Sequence, residues 1–294
     1  MLFSGLSAFP ITPTDQNGRV DTAALATLVE RIAAAGADSI GLLGSTGGYA
    51  YLTRAEKQRA MAATIECVAG RLPVVVGVGA LRTDDAQALA RDAEASGADA
   101  VLLAPMSYTK LMNAEVEQHF LAVANSTALP LCIYNNPGTT NFTFSDDLLV
   151  RLSAHDQIMG VKMPLPGEGD FAGELARLRG RVRDGFSIGY SGDWGMADAM
   201  LAGSDGFYSV LGGMLPEPVL QLVRAAHAGD SAETSRLNAQ LTPLFALFQE
   251  LGSLRIMYVI ADILGLGTFQ PPLPILPLPQ AARERVAAAL QHCQ

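Results

Sequence analysis

Lysine is scarce in this chain: three lysines stand against 17 arginines among 294 residues. Cysteine and histidine are nearly as sparse, with three and four copies. Cys67, Cys132 and Cys293 show no C-x-x-C spacing, and His119, His155, His227 and His292 form neither H-E-x-x-H nor His-x-His. Neither a zinc centre nor a disulfide framework is expected, no metal or other cofactor is assigned, and the odd cysteine count suits a reducing cytoplasm. Basic charge is also short. Twenty Lys and Arg face 29 Asp and Glu, a net −9, which disfavours nucleic acid and anionic membrane surfaces as partners. The start, Met1-Leu2-Phe3-Ser4-Gly5, lacks the basic n-region of a signal peptide. No membrane span is expected either, because the late apolar stretch from Phe245 to Phe269 is broken by Glu250, Arg255 and Asp262 and reads as core helix.

What is present is apolar and periodic. Hydrophobic residues make up 49% and charged residues 17%, enough to fill a large core. Thr22 to Ala35 predicts a helix closed by Gly36, since glycine supplies the left-handed cap. Thr53-Arg54-Ala55-Glu56 is a capping box that opens a helix to about Ala69. Arg82 to Ser96 is a third helix, closed by Gly97, and Asn113 opens a fourth that runs to about Thr127. Between the helices and beyond them lie apolar runs too short to be helical: Leu2–Phe9, Ser39–Leu43, Pro73–Val78, Ala100–Ala104, Leu131–Tyr134, Ile158–Val161, Phe186–Ile188 and Gly206–Val210. Continuous rather than alternating apolarity is what a parallel sheet covered on both faces requires. Ala35-Gly36-Ala37-Asp38, Ser96-Gly97-Ala98-Asp99 and Ala202-Gly203-Ser204-Asp205 repeat one helix-to-strand turn three times. The pattern predicts an α/β fold, a (β/α)8 TIM barrel over residues 1–228, with a C-terminal helical segment over 229–294 that contains a Pro-rich break at Pro271–Pro279. A doubly wound sheet is the alternative, but no G-x-G-x-x-G follows the first strand, and Gly77-Val78-Gly79 lacks the third glycine.

The three lysines differ in setting. Lys57 lies in the charged stretch Arg54–Arg59 and reads as part of a solvated helix face. Lys110 follows the fourth strand and reads as a loop lysine. Lys162 sits in Ile158-Met159-Gly160-Val161-Lys162-Met163, one charge near the C-terminal end of an apolar strand, where barrels place catalytic groups. Burying an ammonium is costly unless it is paired or neutralised. Two readings follow: a structural lysine paired with a barrel carboxylate, or an amine kept partly neutral as a nucleophile toward carbonyls. After the second strand, Gly44-Ser45-Thr46-Gly47-Gly48 offers two hydroxyls and several N–H groups that suit a carboxylate or phosphate, or serves only as a turn. Tyr134, leaving the fifth strand in Tyr134-Asn135-Asn136-Pro137, is either a proton carrier or a packed rim residue.

In this order and spacing, Phe9-Pro10-Ile11-Thr12-Pro13, Gly44-Ser45-Thr46-Gly47, Tyr134-Asn135-Asn136-Pro137, Gly160-Val161-Lys162, Ser191-Gly192-Asp193 and Ser209-Val210 resemble the dihydrodipicolinate synthase/N-acetylneuraminate lyase family. The resemblance covers most of the chain. It implies a cytoplasmic class I aldolase that uses a lysine Schiff base on pyruvate or a related 2-keto acid with an aldehyde partner, needs no metal, and assembles as a homotetramer or dimer. It implies that Lys162 forms the imine, that Ser45, Thr46 and Gly47 hold the keto acid's carboxylate, and that Tyr134 moves protons. Tyr208 falls where the family places a backbone carbonyl near the lysine.

The departures gather around the second substrate. Gly48 replaces the glutamate usual in the synthases. Ser107 stands where the family places a tyrosine donated across a subunit interface, with Tyr108 adjacent. Thr139 stands where the synthases carry an arginine for the second substrate's carboxylate, and Trp194 follows Ser191-Gly192-Asp193 where many members have another acid. Ser107, Tyr108, Thr139, Gly192 and Trp194 are therefore the candidate second-substrate pocket. A threonine hydroxyl cannot replace a bidentate arginine. The expectation is an aldolase or hydro-lyase whose aldehyde is less acidic than aspartate semialdehyde. The alternatives are authentic 4-hydroxy-tetrahydrodipicolinate synthase and a catalytically altered barrel that only binds a keto acid.

Overall fold

Each short apolar run becomes one strand of a closed barrel. A computed structural model describes residues 2–293. The elements run in the order β1 (Gly5–Ala8), α1 (Thr22–Ala35), β2 (Ser39–Leu42), α2 (Arg54–Val68), β3 (Val74–Gly77), α3 (Thr83–Ser96), β4 (Ala100–Leu103), α4 (Asn113–Ala124), β5 (Leu131–Tyr134), the single turn α5 (Pro137–Thr140), α6 (Asp146–Ser153), β6 (Ile158–Met163), α7 (Phe171–Arg179), β7 (Ser187–Ser191), α8 (Met196–Leu201), β8 (Gly206–Ser209) and α9 (Pro216–His227). Three further helices follow: α10 (Ser231–Leu251), α11 (Ser253–Ile263) and α12 (Gln280–Leu290). All strand pairs are parallel and β1 closes on β8, the TIM barrel expected from the alternation.

The threefold turn has a physical purpose. The helix ends on a left-handed glycine (Gly36 φ 79°, Gly97 φ 88°). The aspartate two residues later then accepts a hydrogen bond from a backbone N–H beside the neighbouring strand: Asp38 from Leu6 at 2.7 Å, Asp99 from Val74 at 2.8 Å and Asp205 from Ile188 at 2.8 Å. Each carboxylate satisfies an N–H at the bottom of the barrel, where a buried donor left alone would be costly.

Both faces of the sheet are covered. Outward residues such as Leu6, Ile40, Val76, Leu103, Ile133 and Phe207 pack under the helices. Inside, Phe9, Val75, Leu102, Cys132, Tyr134 and Tyr208 form a second cluster. Phe9 fits there because β2 carries Gly41: a Cβ at that position would lie 2.1 Å from the Phe9 ring. The wide ring thus occupies the space of a missing side chain and supports the site above it.

Two expectations change. The stretch Phe245–Phe269 is not one core helix: α10 and α11 are separate, broken at Gly252 with φ 83°, and Pro243 lies inside α10. The strand edges also move, the first strand shortening to Gly5–Ala8 and the sixth lengthening to Met163. Among the described residues no helix is long and apolar enough to cross a membrane.

Candidate active site

Lys162 reaches the barrel interior from β6, paired in register with Tyr134 of β5 on one side and Gly189 of β7 on the other. It is 6% exposed. Its Nζ lies 4.2 Å from the ring centre of Tyr134, 5.1 Å from that of Phe9 and 5.9 Å from that of Tyr208. An amine held over three aromatic faces gains cation–π attraction. Among the described residues no carboxylate comes within ion-pairing distance of it. The paired structural lysine, one of the two readings of this position, is therefore not what the fold builds.

Tyr134 connects the lysine to the turn after β2. Its hydroxyl donates to Ser45 Oγ at 3.2 Å and accepts from Asn136 Nδ2 at 3.0 Å. Burial opposes ionisation of this phenol. The Lys162 ammonium, then Ser45, Asn136 and Thr139, outweigh it and hold the phenol below the usual tyrosine range. Thr46 is buried beside Ser45. The turn that presents them is strained: Leu43, fully buried, has φ 56°, a costly conformation for a non-glycine residue. Its carbonyl occupies the place of a side chain on Gly77, whose Cβ would lie 2.0 Å from that oxygen. The Gly77-Val78-Gly79 segment thus serves close approach of the Ser45 turn.

Asp193, which the sequence marks only as part of Ser191-Gly192-Asp193, joins the site through the fold. It is 1% exposed and accepts from Ser209 Oγ at 2.5 Å, Leu211 N at 2.9 Å and Val210 N at 3.1 Å. Burial raises its pKa against the pull of these donors and of Lys162. It fixes the exit of β8, and with it the backbone of Tyr208. The Tyr208 hydroxyl meets Cys132 Sγ at 3.3 Å, and burial pushes that thiol up to about 12. This pair is inert packing below the lysine.

Above Ser45 and Thr46 opens a cavity of about 490 Å³, whose walls include Tyr49, Met106, Ser107, Thr139 and, from the α10–α11 junction, Leu254. Ser107 and Thr139 of the candidate second-substrate pocket are thus brought together here, and Gly48 lies on the rim. The Ser107 hydroxyl is turned to the Thr109 carbonyl. Tyr108 is 98% exposed and stands free at the surface, because a one-residue step along the loop repoints the side chain. Gly192 packs against Leu165, and Trp194 is 43% exposed; neither lines this cavity.

Lys57 corrects the expectation of a solvated helix face. It is 8% exposed, with Nζ 5.7 Å from the ring centre of Tyr49. The 49–51 turn folds over α2 and removes the lysine from water. Burial lowers its pKa, and Asp85 only partly opposes this. Lys110 is exposed, as its loop position predicts. Among the described residues no group of three or more His, Cys, Asp or Glu is placed to hold a metal ion.

Comparison with known proteins finds relatives along nearly the whole chain. The model of the dihydrodipicolinate synthetase family matches residues 2–293. The 4-hydroxy-tetrahydrodipicolinate synthase of Alcanivorax borkumensis is 34% identical over 288 residues, covering 96% of this chain and 95% of that protein. The crystal structure of dihydrodipicolinate synthase from Agrobacterium tumefaciens superposes with a TM-score of 0.98 at 58% identity, over 99% of this chain and 98% of that one. A chloride-inhibited dihydrodipicolinate synthase from Acinetobacter baumannii, solved with pyruvate, gives 0.90 at 29% identity over 100% and 99%.

Proposed function

The chain belongs to the dihydrodipicolinate synthetase family, a family of lyases, and from this premise we propose that it joins or separates pyruvate, or a related 2-keto acid, and an aldehyde through a Schiff base on Lys162. The observation that carries this reading is the buried, unpaired Lys162 amine beside a phenol tuned toward ionisation. Pyruvate is supported as the keto acid by the Acinetobacter baumannii relative solved with it.

In this reading the lysine amine attacks the keto carbon, water leaves, and a protonated imine forms. The cationic nitrogen accepts the C3–H electron pair when a base removes the C3 proton, which gives an enamine. The enamine carbon bonds the aldehyde carbon, the aldehyde oxygen takes a proton, and water hydrolyses the imine to restore the amine. Tyr134, hydrogen-bonded to Ser45 and close to the amine, carries these protons. Ser45 and Thr46, with the backbone N–H groups of their turn and Gly47, hold the keto acid's carboxylate. In this reading Tyr208, preceding the Asp193-held Ser209 and with its ring centre 5.9 Å from the lysine Nζ, supplies the backbone carbonyl near the amine. The chemistry so written needs no metal or organic cofactor.

The assembly in this reading is a homodimer or homotetramer in the cytoplasm. Leu81, Tyr108 and Met112, on the loops after the adjacent strands β3 and β4, are 67%, 98% and 66% exposed, and large apolar side chains left in water favour a second copy. A cytoplasmic location accords with the three free cysteines. A second reading, authentic 4-hydroxy-tetrahydrodipicolinate synthase, is favoured by the names of the curated relatives and shares every step at Lys162.

Exchange of pyruvate C3 protons in D2O, followed by NMR, reads imine and enamine formation without any aldehyde. Lys162→Ala is expected to slow exchange by at least about 1,000-fold with the far-UV circular dichroism unchanged. Exchange at the wild-type rate in that variant contradicts the reading.

A further inference from the structure

We propose that the aldehyde partner is electrically neutral and that the cavity above Ser45 rejects acceptors bearing a carboxylate. The inference rests on the Lys162 reading and concerns the cavity beyond Ser45, which Lys162 and Tyr134 do not line and which joins them through the Tyr134–Ser45 hydrogen bond. Fourteen residues surround this cavity, and none is Lys, Arg, His, Asp or Glu. Its walls include the apolar residues Leu81, Met106, Leu254 and Ile275. Its polar side chains are all neutral hydroxyls: Ser45 and Thr46 on the keto-acid side, and Ser107, Thr139 and Ser253 beyond them, besides the tyrosines. Ser107 already donates to the Thr109 carbonyl, and Thr139 to the Asn136 carbonyl at 3.3 Å. The Ser107 hydroxyl therefore meets a ligand mainly as an acceptor, and the Thr139 hydroxyl is divided between the Asn136 carbonyl and the Tyr134 phenol, so neither stands in for a cation toward a carboxylate. A carboxylate moved from water into such walls loses hydration without gaining a cation. A neutral aldehyde loses little and gains the apolar contact.

A guanidinium close to the rim is that of Arg255 of α11. It lies back over Gly252, with Nη1 3.4 Å from the place of a Cβ there, and does not line the cavity. The start of α11 borders the same space through Gly252 and Ser253. The Ser45–Thr46 turn on the other wall is taken, in this reading, by the keto acid's own carboxylate, so the experiment addresses Arg255 and the α11 start directly.

The step is an addition in which atoms balance. The enamine C3 supplies the electron pair of the new carbon–carbon bond, and the aldehyde C=O π pair moves to oxygen and takes one proton. Hydrolysis of the imine consumes the water released when it formed. The product is a 4-hydroxy-2-keto acid whose only carboxylate comes from pyruvate.

The test compares kcat/KM for four aldehydes with saturating pyruvate: benzaldehyde and glyceraldehyde as neutral probes, aspartate semialdehyde and succinic semialdehyde as anionic ones. The better neutral probe is expected to exceed both anionic probes by about 10–100-fold. Thr139→Arg should reverse the order by restoring a cation at the wall, and Arg255→Met should leave the wild-type order unchanged. Equal or better use of an anionic probe overturns the inference, as does loss of anionic turnover in Arg255→Met alone. Turnover of no neutral aldehyde, with pyruvate C3 exchange intact, also overturns it while leaving the Lys162 reading in place. Absence of C3 exchange removes the reading on which both depend.

Discussion

Lys162 and Lys57 are both withdrawn from water, 6% and 8% exposed, and both lie over a tyrosine ring. Lys162 projects into the barrel from a strand, at a point where Tyr134, Ser45 and Asn136 form a hydrogen-bonded chain leading to an open cavity. Lys57 projects from α2 under the 49–51 turn, and its tyrosine is a different one. Burial pushes the Tyr49 phenol well above the ordinary range, and nearby Tyr134 adds to the shift, whereas Tyr134 is held below it. Burial alone therefore does not make an amine catalytic. A buried lysine becomes a candidate nucleophile when a group able to exchange protons and an approach for the carbonyl lie beside it.

The sharpest test of that difference, after removal of Lys162 itself, acts on the phenol. Tyr134→Phe keeps the ring under the amine but deletes the hydroxyl, and kcat is expected to fall by about 100–10,000-fold. The phenol donates protons only while un-ionised, so the wild-type rate should fall as pH rises through its lowered pKa. That limb should vanish in the variant. A Tyr134→Phe enzyme with an unchanged pH–rate profile would place proton transfer elsewhere.

Lys57→Met is the smaller, opposite case. Replacing a buried, unpaired charge by an apolar chain of similar length is expected to leave kcat within about threefold and stability equal or higher. The pH dependence has a definite sign. Burial lowers the Lys57 pKa from 10.5, so between the lowered value and 10.5 the unfolded chain binds more protons and wild-type stability rises with pH. The urea-midpoint advantage of Lys57→Met should therefore shrink as pH climbs toward 10.5. An advantage that grows over that range would contradict the burial.

Much of this was legible from residues alone, for local reasons. Continuous apolar strands, glycine-closed helices and the repeated Asp turn carry their own geometry, and Lys162 stood out because a charge interrupts an apolar strand. The unread parts depend on contacts distant in sequence. The Arg54–Arg59 stretch gives no sign that the turn at Tyr49 covers Lys57. Asp193 looks like an ordinary loop acid until the N–H groups of Val210 and Leu211, 17 and 18 residues onward, converge on it. Gly252 could be read as a tolerated glycine in a long helix. Its φ of 83° and the exposure of the α11 start to the cavity come from packing of α10 and α11.

Sodium borohydride reduction in the presence of pyruvate, followed by intact mass and peptide mapping, compares the lysines in one experiment. Among side chains only Lys57, Lys110 and Lys162 compete for the adduct, and peptide mapping separates them from the N-terminal amine. The account predicts one pyruvate-sized addition per chain, mapped to the peptide that contains Lys162, with Lys57 unmodified although it too is a buried amine. An adduct on Lys57 or Lys110, or none on Lys162, would contradict it.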